Sequence, residues 1–230
     1  MLMRGFSTVG DMAGNTFSLK RAIDEGRFPG PRIYPSGAGI SQTGGHADYR
    51  PPNAVPRPYA TDPDPTVRAG HGAIADGEAQ VLIAAREQLR RGASQIKIMV
   101  GGGAASPTDP LDAVFALAKK KGYKKIAFGT DVIGDPALMA RQNEEFTNRG
   151  KWFSNFEVIR QATSGVAELL AMRGPRDPYS AKLGVVEEGA LADILLIGGN
   201  PLEDISVLTR PDENIMFIMK DGKIYKNALP

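Results

Sequence analysis

Gln95-Ile96-Lys97-Ile98-Met99-Val100-Gly101-Gly102-Gly103 is an apolar run with one lysine inside it and three glycines behind it. A run of this length, rich in β-branched residues and closed by glycine, reads as a buried strand rather than a helix. Further along, Ala127-Phe128-Gly129-Thr130-Asp131 reads as a second short buried strand, ending on an exposed carboxylate. The segments around these two show helical spacing. Strand and helix therefore alternate, each strand entering a glycine-rich loop, which is the pattern of a parallel α/β fold with its site at the carboxyl ends of the strands.

The same alternation extends on either side. Gly5-Phe6-Ser7-Thr8-Val9-Gly10-Asp11 reads as a strand running into a loop, Phe17 to Glu25 as a helix with Ser18 as N-cap and Gly26 as its stop, and Arg32 to Gly37 as another strand and loop. Ser41 to Asp48 is a polar, glycine-rich loop, and residues 49 to 70 are proline-rich without apolar period, which predicts a long surface loop. Val81, Leu82, Ala84, Ala85 and Leu89 fall at helical spacing, predicting a helix over Ala75 to Arg91. Leu111 to Lys121 and Phe156 to Met172 are further helices, the second with Asn155 as N-cap.

From Leu183 the pattern changes to strands alone. Leu183 to Gly189, Ala192 to Ile197, Ile215 to Met219 and Lys223 to Tyr225 form a small β unit, with Asp221-Gly222 a hairpin turn signal. The expected domains are thus 1–182, an α/β part, and 183–230, the β unit.

The chain has 230 residues, 42% of them apolar and 23% charged, with a formal net charge of +2. That balance supplies no electrostatic footprint for nucleic acid. No stretch approaches the roughly 18 apolar residues of a membrane span, and the first residues carry no apolar core with a cleavage site, so a cytoplasmic protein is expected. With no cysteine and only two histidines, His46 and His71, any metal must be held by oxygen and nitrogen. The glycine run at 101–103 lacks the lysine and serine or threonine of a phosphate-binding loop.

Taken together, the segments resemble the amidohydrolase superfamily, in particular its imidazolonepropionase-like and Xaa-Pro-dipeptidase-like members. The resemblance rests on Gly5 to Asp11, on Thr43-Gly44-Gly45-His46-Ala47-Asp48, on Ile96 to Gly103, and on Phe128-Gly129-Thr130-Asp131. It continues through Leu183-Gly184-Val185-Val186-Glu187-Glu188-Gly189-Ala190-Leu191-Ala192-Asp193, Gly199 to Asp204, and Met219 to Lys223. It implies a (β/α)8 TIM-type barrel, here partial, with a small C-terminal β-sandwich remnant. It also implies hydrolysis of amide-type C–N bonds in a small-molecule or dipeptide-like substrate, through water activated by a divalent metal, zinc in the first place. Carried over residue by residue, Lys97 corresponds to a carboxylated lysine ligand, Asp131 to the terminal aspartate that binds metal and takes the proton, and His46 to a substrate contact. Asp11 is expected to cap or hydrogen-bond at the end of its strand, and His71 to lie on the surface.

The chain departs from that pattern in two places. There is no His-x-His pair, and only residues 98 to 130 separate Lys97 from Asp131, room for about one βα unit where the family has several. The resemblance therefore implies truncation at the N-terminus, an internal deletion near Val114, and a metal site short of its histidine ligands. A partial barrel exposes unpaired strand edges, which predicts self-association.

Overall fold

The computed structural model describes residues 1–99, 111–123, 125–132 and 136–230. The chain divides into two compact units, Thr8–Asp109 and Met1–Ser7 with Pro110–Pro230. It is a mixed α/β protein whose described sheets are small and open.

In the first unit, β1 (Thr8–Asp11) pairs in parallel with β2 (Arg32–Pro35), Thr8 opposite Arg32 and Asp11 opposite Pro35. Parallel neighbours need a crossover, and α1 (Phe17–Asp24) supplies it. Gly26 follows at φ 73, the left-handed stop expected of it. The start differs from expectation: Thr16, not Ser18, is the N-cap position, and its side chain makes no capping bond. Its hydroxyl is instead committed to Asp11, at 2.9 Å.

The chain then turns at Gly37 into β3 (Gly39–Ser41), which pairs in parallel with β4 (Gly72–Ile74). Between them the proline-rich stretch is not a bare loop. It contains a 3-10 turn at Arg57–Tyr59 and the short α2 (Pro65–Ala69), where Pro65 occupies the first turn and Asp64 accepts a bond from the Thr66 N–H at 2.8 Å. Next, α3 (Glu78–Arg90) covers most of the helix predicted over Ala75 to Arg91.

The lysine-bearing run comes back beside β3. Ile98 bridges Ile40 in parallel, Ile40 N–H donates to the Lys97 carbonyl at 2.9 Å, and Met99 N–H donates to the Ile40 carbonyl at 2.8 Å. Lys97 therefore does sit on a parallel run, though as a single bridge rather than a full strand. Val100 to Gly103 lie outside the described residues. Tyr34, with no exposed surface, Ile33 and Ile40 are buried at the centre of this unit.

The second unit opens with α4 (Leu111–Lys120). Ala127 to Asp131 is not a strand: it has no strand partner among the described residues, and Phe128 N–H donates instead to the Gln161 carbonyl, 3.3 Å away. There follow α5 (Pro136–Arg141), α6 (Glu145–Asn148), α7 (Asn155–Ala162) and α8 (Ser164–Ala171). The single helix predicted over Phe156 to Met172 is thus two. It breaks at Thr163, at φ −122 and ψ −103, where Thr-Ser-Gly is the weakest helix-forming triplet of the stretch. Gly184 packs into the break so closely that an added Cβ would stand 2.5 Å from the Thr163 carbonyl oxygen.

The N-cap of α7 is Ser154, one residue before the Asn155 expected. Its hydroxyl accepts from Glu157 N–H while the Glu157 carboxylate returns to the Ser154 N–H, a complete capping box. Ser154→Ala is expected to cost about 1 kcal/mol in a urea unfolding curve; no change would show that the box contributes nothing.

The β unit forms in part as predicted. The strands β5 (Ile194–Ile197), β6 (Ile215–Lys220) and β7 (Lys223–Asn227) make an antiparallel sheet in that order, with α9 (Pro211–Asn214) leading into β6. The β6–β7 turn has φ 53 at Asp221 and 73 at Gly222, the two positive angles a tight hairpin requires. Leu183 to Gly189 is not a strand; only an isolated bridge joins Lys182 to Ala190 there. Two cores hold this unit. Phe146, Phe153, Val158, Ile205 and Leu208 form one, and Leu2 with Ile215 and Ile218 the other. Among the described residues no helix is long and apolar enough to cross a membrane.

Candidate active site

The carboxyl ends of β3 and β4 carry the first unit's polar groups. Asp76, just past β4, accepts Thr43 N–H at 2.8 Å and Thr43 Oγ1–H at 2.7 Å. Arg57 Nη1 reaches the same carboxylate at 3.1 Å. Its pKa is lowered, first by the Thr43 hydroxyl, then by the Thr43 N–H, with the Arg57 charge a lesser cause.

Five residues beyond Thr43, Asp48 accepts Gly44 N–H at 2.8 Å and a bidentate pair from Arg50, Nε at 2.7 Å and Nη2 at 2.6 Å. The fork geometry is the strong form of a carboxylate–guanidinium bond, and it leaves the Asp48 side chain only 5% exposed. Chiefly through the Arg50 bonds, the Asp48 carboxyl is held far below the usual carboxylate range. The loop that carries His46 is therefore tied to Asp76 through Thr43 and closed on itself by Asp48 on Gly44. His46 itself is half-buried.

These groups line a groove of about 820 Å³, walled by Pro51, Pro52, Pro56 and Pro58. Thr43, Asp48, Arg50, Arg57 and Asp76 face it, and His46 is not among its lining residues. None of the arginine or aspartate contacts was legible as a site in the sequence. Asp76 falls inside the helix predicted over Ala75 to Arg91, and its partners lie 19 and 33 residues away.

Asp11, at the end of β1, does the hydrogen bonding expected of it. It accepts Thr16 Oγ1–H and the Gly14 N–H. Burial nevertheless dominates and raises its pKa, against these bonds and the opposing charge of His71. The signs for Asp11 and Asp48 are opposite. Asp11, with a raised folded pKa, contributes stability below its unfolded value of about 3.9 and loses it as pH rises through the folded value. Asp48, with a depressed pKa, contributes above that value and loses its contribution as pH falls through the folded one. Between pH 3 and pH 7, Asp11→Asn should therefore gain stability relative to wild type, and Asp48→Asn should lose it. Parallel trends in thermal melts across that range would contradict this.

Lys97 is half-buried beside β3. Two residues on, the Met99 methyl lies against Gly39. Asp131 belongs to the other compact unit, is exposed, and has φ 47, a left-handed conformation that aspartate tolerates better than most residues. His71 is exposed, and its backbone carbonyl accepts Gly39 N–H at 3.0 Å.

Upstream of Asp131, Phe128 stacks on Phe146 at 4.5 Å and lies 5.0 Å beneath the guanidinium of Arg149. Arg149 is 6% exposed and bonds Glu145 at 2.7 Å and Gln161 at 2.6 Å, with the Gly129 carbonyl 3.5 Å from Nη2. A buried cation under the Asp131 segment was not foreseen, since Arg-Gly-Lys at 149–151 reads as solvent-facing.

A divalent ion of the family's kind needs several imidazole and carboxylate donors converging. Among the described residues no group of three or more His, Asp or Glu side chains is so arranged. The residues described do not fit such an ion.

No family model matches the chain. The ochratoxinase of Aspergillus niger is 41% identical over 112 residues, which are 47% of this chain and 23% of that protein, so the match spans under a quarter of the relative's length. Among solved structures, a prolidase complexed with N-methylphosphonate-L-proline superposes with a TM-score of 0.79 at 28% identity, over 99% of this chain and 77% of that one. An amidohydrolase gives 0.79 at 29%, over 100% and 78%. The crystal structure of A. niger ochratoxinase gives 0.70 at 25%, over 98% and 73%. The class these define is the amidohydrolases, as the motifs implied. Within it the neighbours are of prolidase, Xaa-Pro-dipeptidase and ochratoxinase type.

Proposed function

We propose that this chain descends from an enzyme hydrolysing amide-type C–N bonds in small, dipeptide-like molecules, and that by itself it is weakly active or inactive. The superposition of nearly the whole chain on prolidase-type neighbours supports the ancestry, and with it a partial barrel as the fold. The phosphonate-proline ligand of one neighbour supports the substrate class. By descent, zinc would be the metal, Lys97 and Asp131 its ligands, Asp131 the proton acceptor and His46 the substrate contact. The low activity rests on one observation. Around Lys97, among the described residues, no imidazole or carboxylate group makes up a metal-ligand set.

Losing one member of a cooperating catalytic set costs several orders of magnitude in rate. With zinc supplied, turnover of an Xaa-Pro dipeptide panel is expected below about 0.01 s⁻¹, against the 1 to 1,000 s⁻¹ common for enzymes. A rate above about 1 s⁻¹ would overturn the reading.

A second reading, a non-catalytic scaffold of the same fold, is favoured by apolar side chains left in solvent. These are Leu82 and Ile83 on α3, Val114 and Leu117 on α4, and Ile98 beside β3. Under it the purified protein elutes in size-exclusion chromatography as a dimer or larger; a clean monomer counts against it.

A further inference from the structure

Leu82 is among the apolar positions that define α3 in the sequence, yet the helix turns it outward. The residue that α3 buries is Gln88, which accepts the Ala38 N–H at the turn into β3. Leu82 is 46% exposed and Ile83 62%. At about 100° per residue, Gln88 lies on a different side of the helix from both.

The exposed stripe carries its own charges. Glu78, Leu82 and Arg86 follow one another at four-residue steps and so form one ridge. Glu78 and Arg86 are exposed, and neither has an ion-pair partner among the described residues. Eight residues set them about 12 Å apart along the axis, too far to pair within the helix. Glu87, next to Arg86 in sequence, is taken by Arg90 at 2.8 Å.

A second copy of α3 laid antiparallel across the first satisfies both charges. A two-fold axis through Leu82 sets position 78 of each copy opposite position 86 of the other, because each is four residues from the axis. Leu82 then meets its own counterpart, with Ala79 and Ile83 beside it. We infer that α3 is the contact of a two-fold symmetric homodimer, in which two Glu78–Arg86 pairs between copies flank Leu82. Such a self-complementary contact closes at two copies. One helix covers less than a standard interface, so the dimer is weak and concentration-dependent. Exposed ion pairs add little affinity; the apolar centre supplies the attraction and the charges choose the register. The inference rests on the scaffold reading above and gives it a surface.

Sedimentation equilibrium of the full chain at low salt, where exposed pairs are least screened, tests it. Wild type is expected to be a reversible mixture of monomer and dimer. Glu78→Arg and Arg86→Glu each place like charges at both pair positions, and each is expected to raise the dissociation constant at least about tenfold. Mixed in equal amounts, the two variants restore opposite charges at both positions, and the mixture is expected to dimerise about as tightly as wild type. That restoration would also show that both variants are folded. Should either lose its fold, Leu82→Glu decides instead, expected to leave only monomer with the circular dichroism spectrum intact. A monomeric wild type would overturn this contact and the scaffold reading together. A dimer that tolerates these substitutions, or two weakened variants that do not restore each other, would overturn the contact and leave the scaffold reading standing on another surface.

Discussion

Arg149→Ala will unfold the second unit at markedly lower urea, a loss of about 3 to 5 kcal/mol. Arg149 is 6% exposed, and its guanidinium serves Glu145 and Gln161 while lying over Phe128. Removing it strands a buried amide, Gln161, and a half-buried carboxylate, and opens space beneath Phe128, which stacks on Phe146 in the core. A loss of that size is a large part of the 5 to 15 kcal/mol that ordinarily holds a domain together. Arg149→Met restores volume without charge and should recover part of it. The chain's single tryptophan, Trp152, packs 5.0 Å from Phe115 in the same cluster, so its fluorescence reads this unit directly. A midpoint for Arg149→Ala within error of wild type would mean the cation is solvated rather than structural.

Gly37→Ala will cost about 3 kcal/mol in the first unit. Gly37 turns the chain from β2 into β3 at φ 69, where a side chain is strained by about 1 to 3 kcal/mol. An added Cβ would also stand 2.3 Å from Gln88 Oε1, a buried atom that accepts the Ala38 N–H at 3.0 Å. Displacing Gln88 breaks that bond and leaves a buried donor unpaired, about 1 to 3 kcal/mol more. An alanine variant as stable as wild type would show that the corner relaxes freely.

The parts of this molecule that sequence reading recovered are those fixed locally. Phe17 to Asp24, Glu78 to Arg90 and the Asp221-Gly222 hairpin follow from periodicity and turn chemistry. The errors fall where distant residues decide. Thr163 breaks a helix whose apolar period runs on unbroken, with Gly184 packed against the break. Phe128 finds Gln161 rather than a neighbouring strand. Lys97, His46 and Asp131 were legible only as parts of motifs, and none of them lines the groove. The contacts that shape the groove, Thr43 with Asp76 and Arg57 with Asp76, join residues no local pattern connects. Arg149 was illegible for the same reason, since its burial depends on aromatic rings at 115 and 128.

The central claim, that this chain keeps the amidohydrolase fold elements without a complete metal-ligand set, is tested most directly by metal content. Folded protein would be dialysed against trace zinc and the bound ions counted per chain. The account predicts no stoichiometric metal, and no difference between wild type and Asp131→Ala. One or two tightly bound ions per chain, lost in Asp131→Ala, would contradict it.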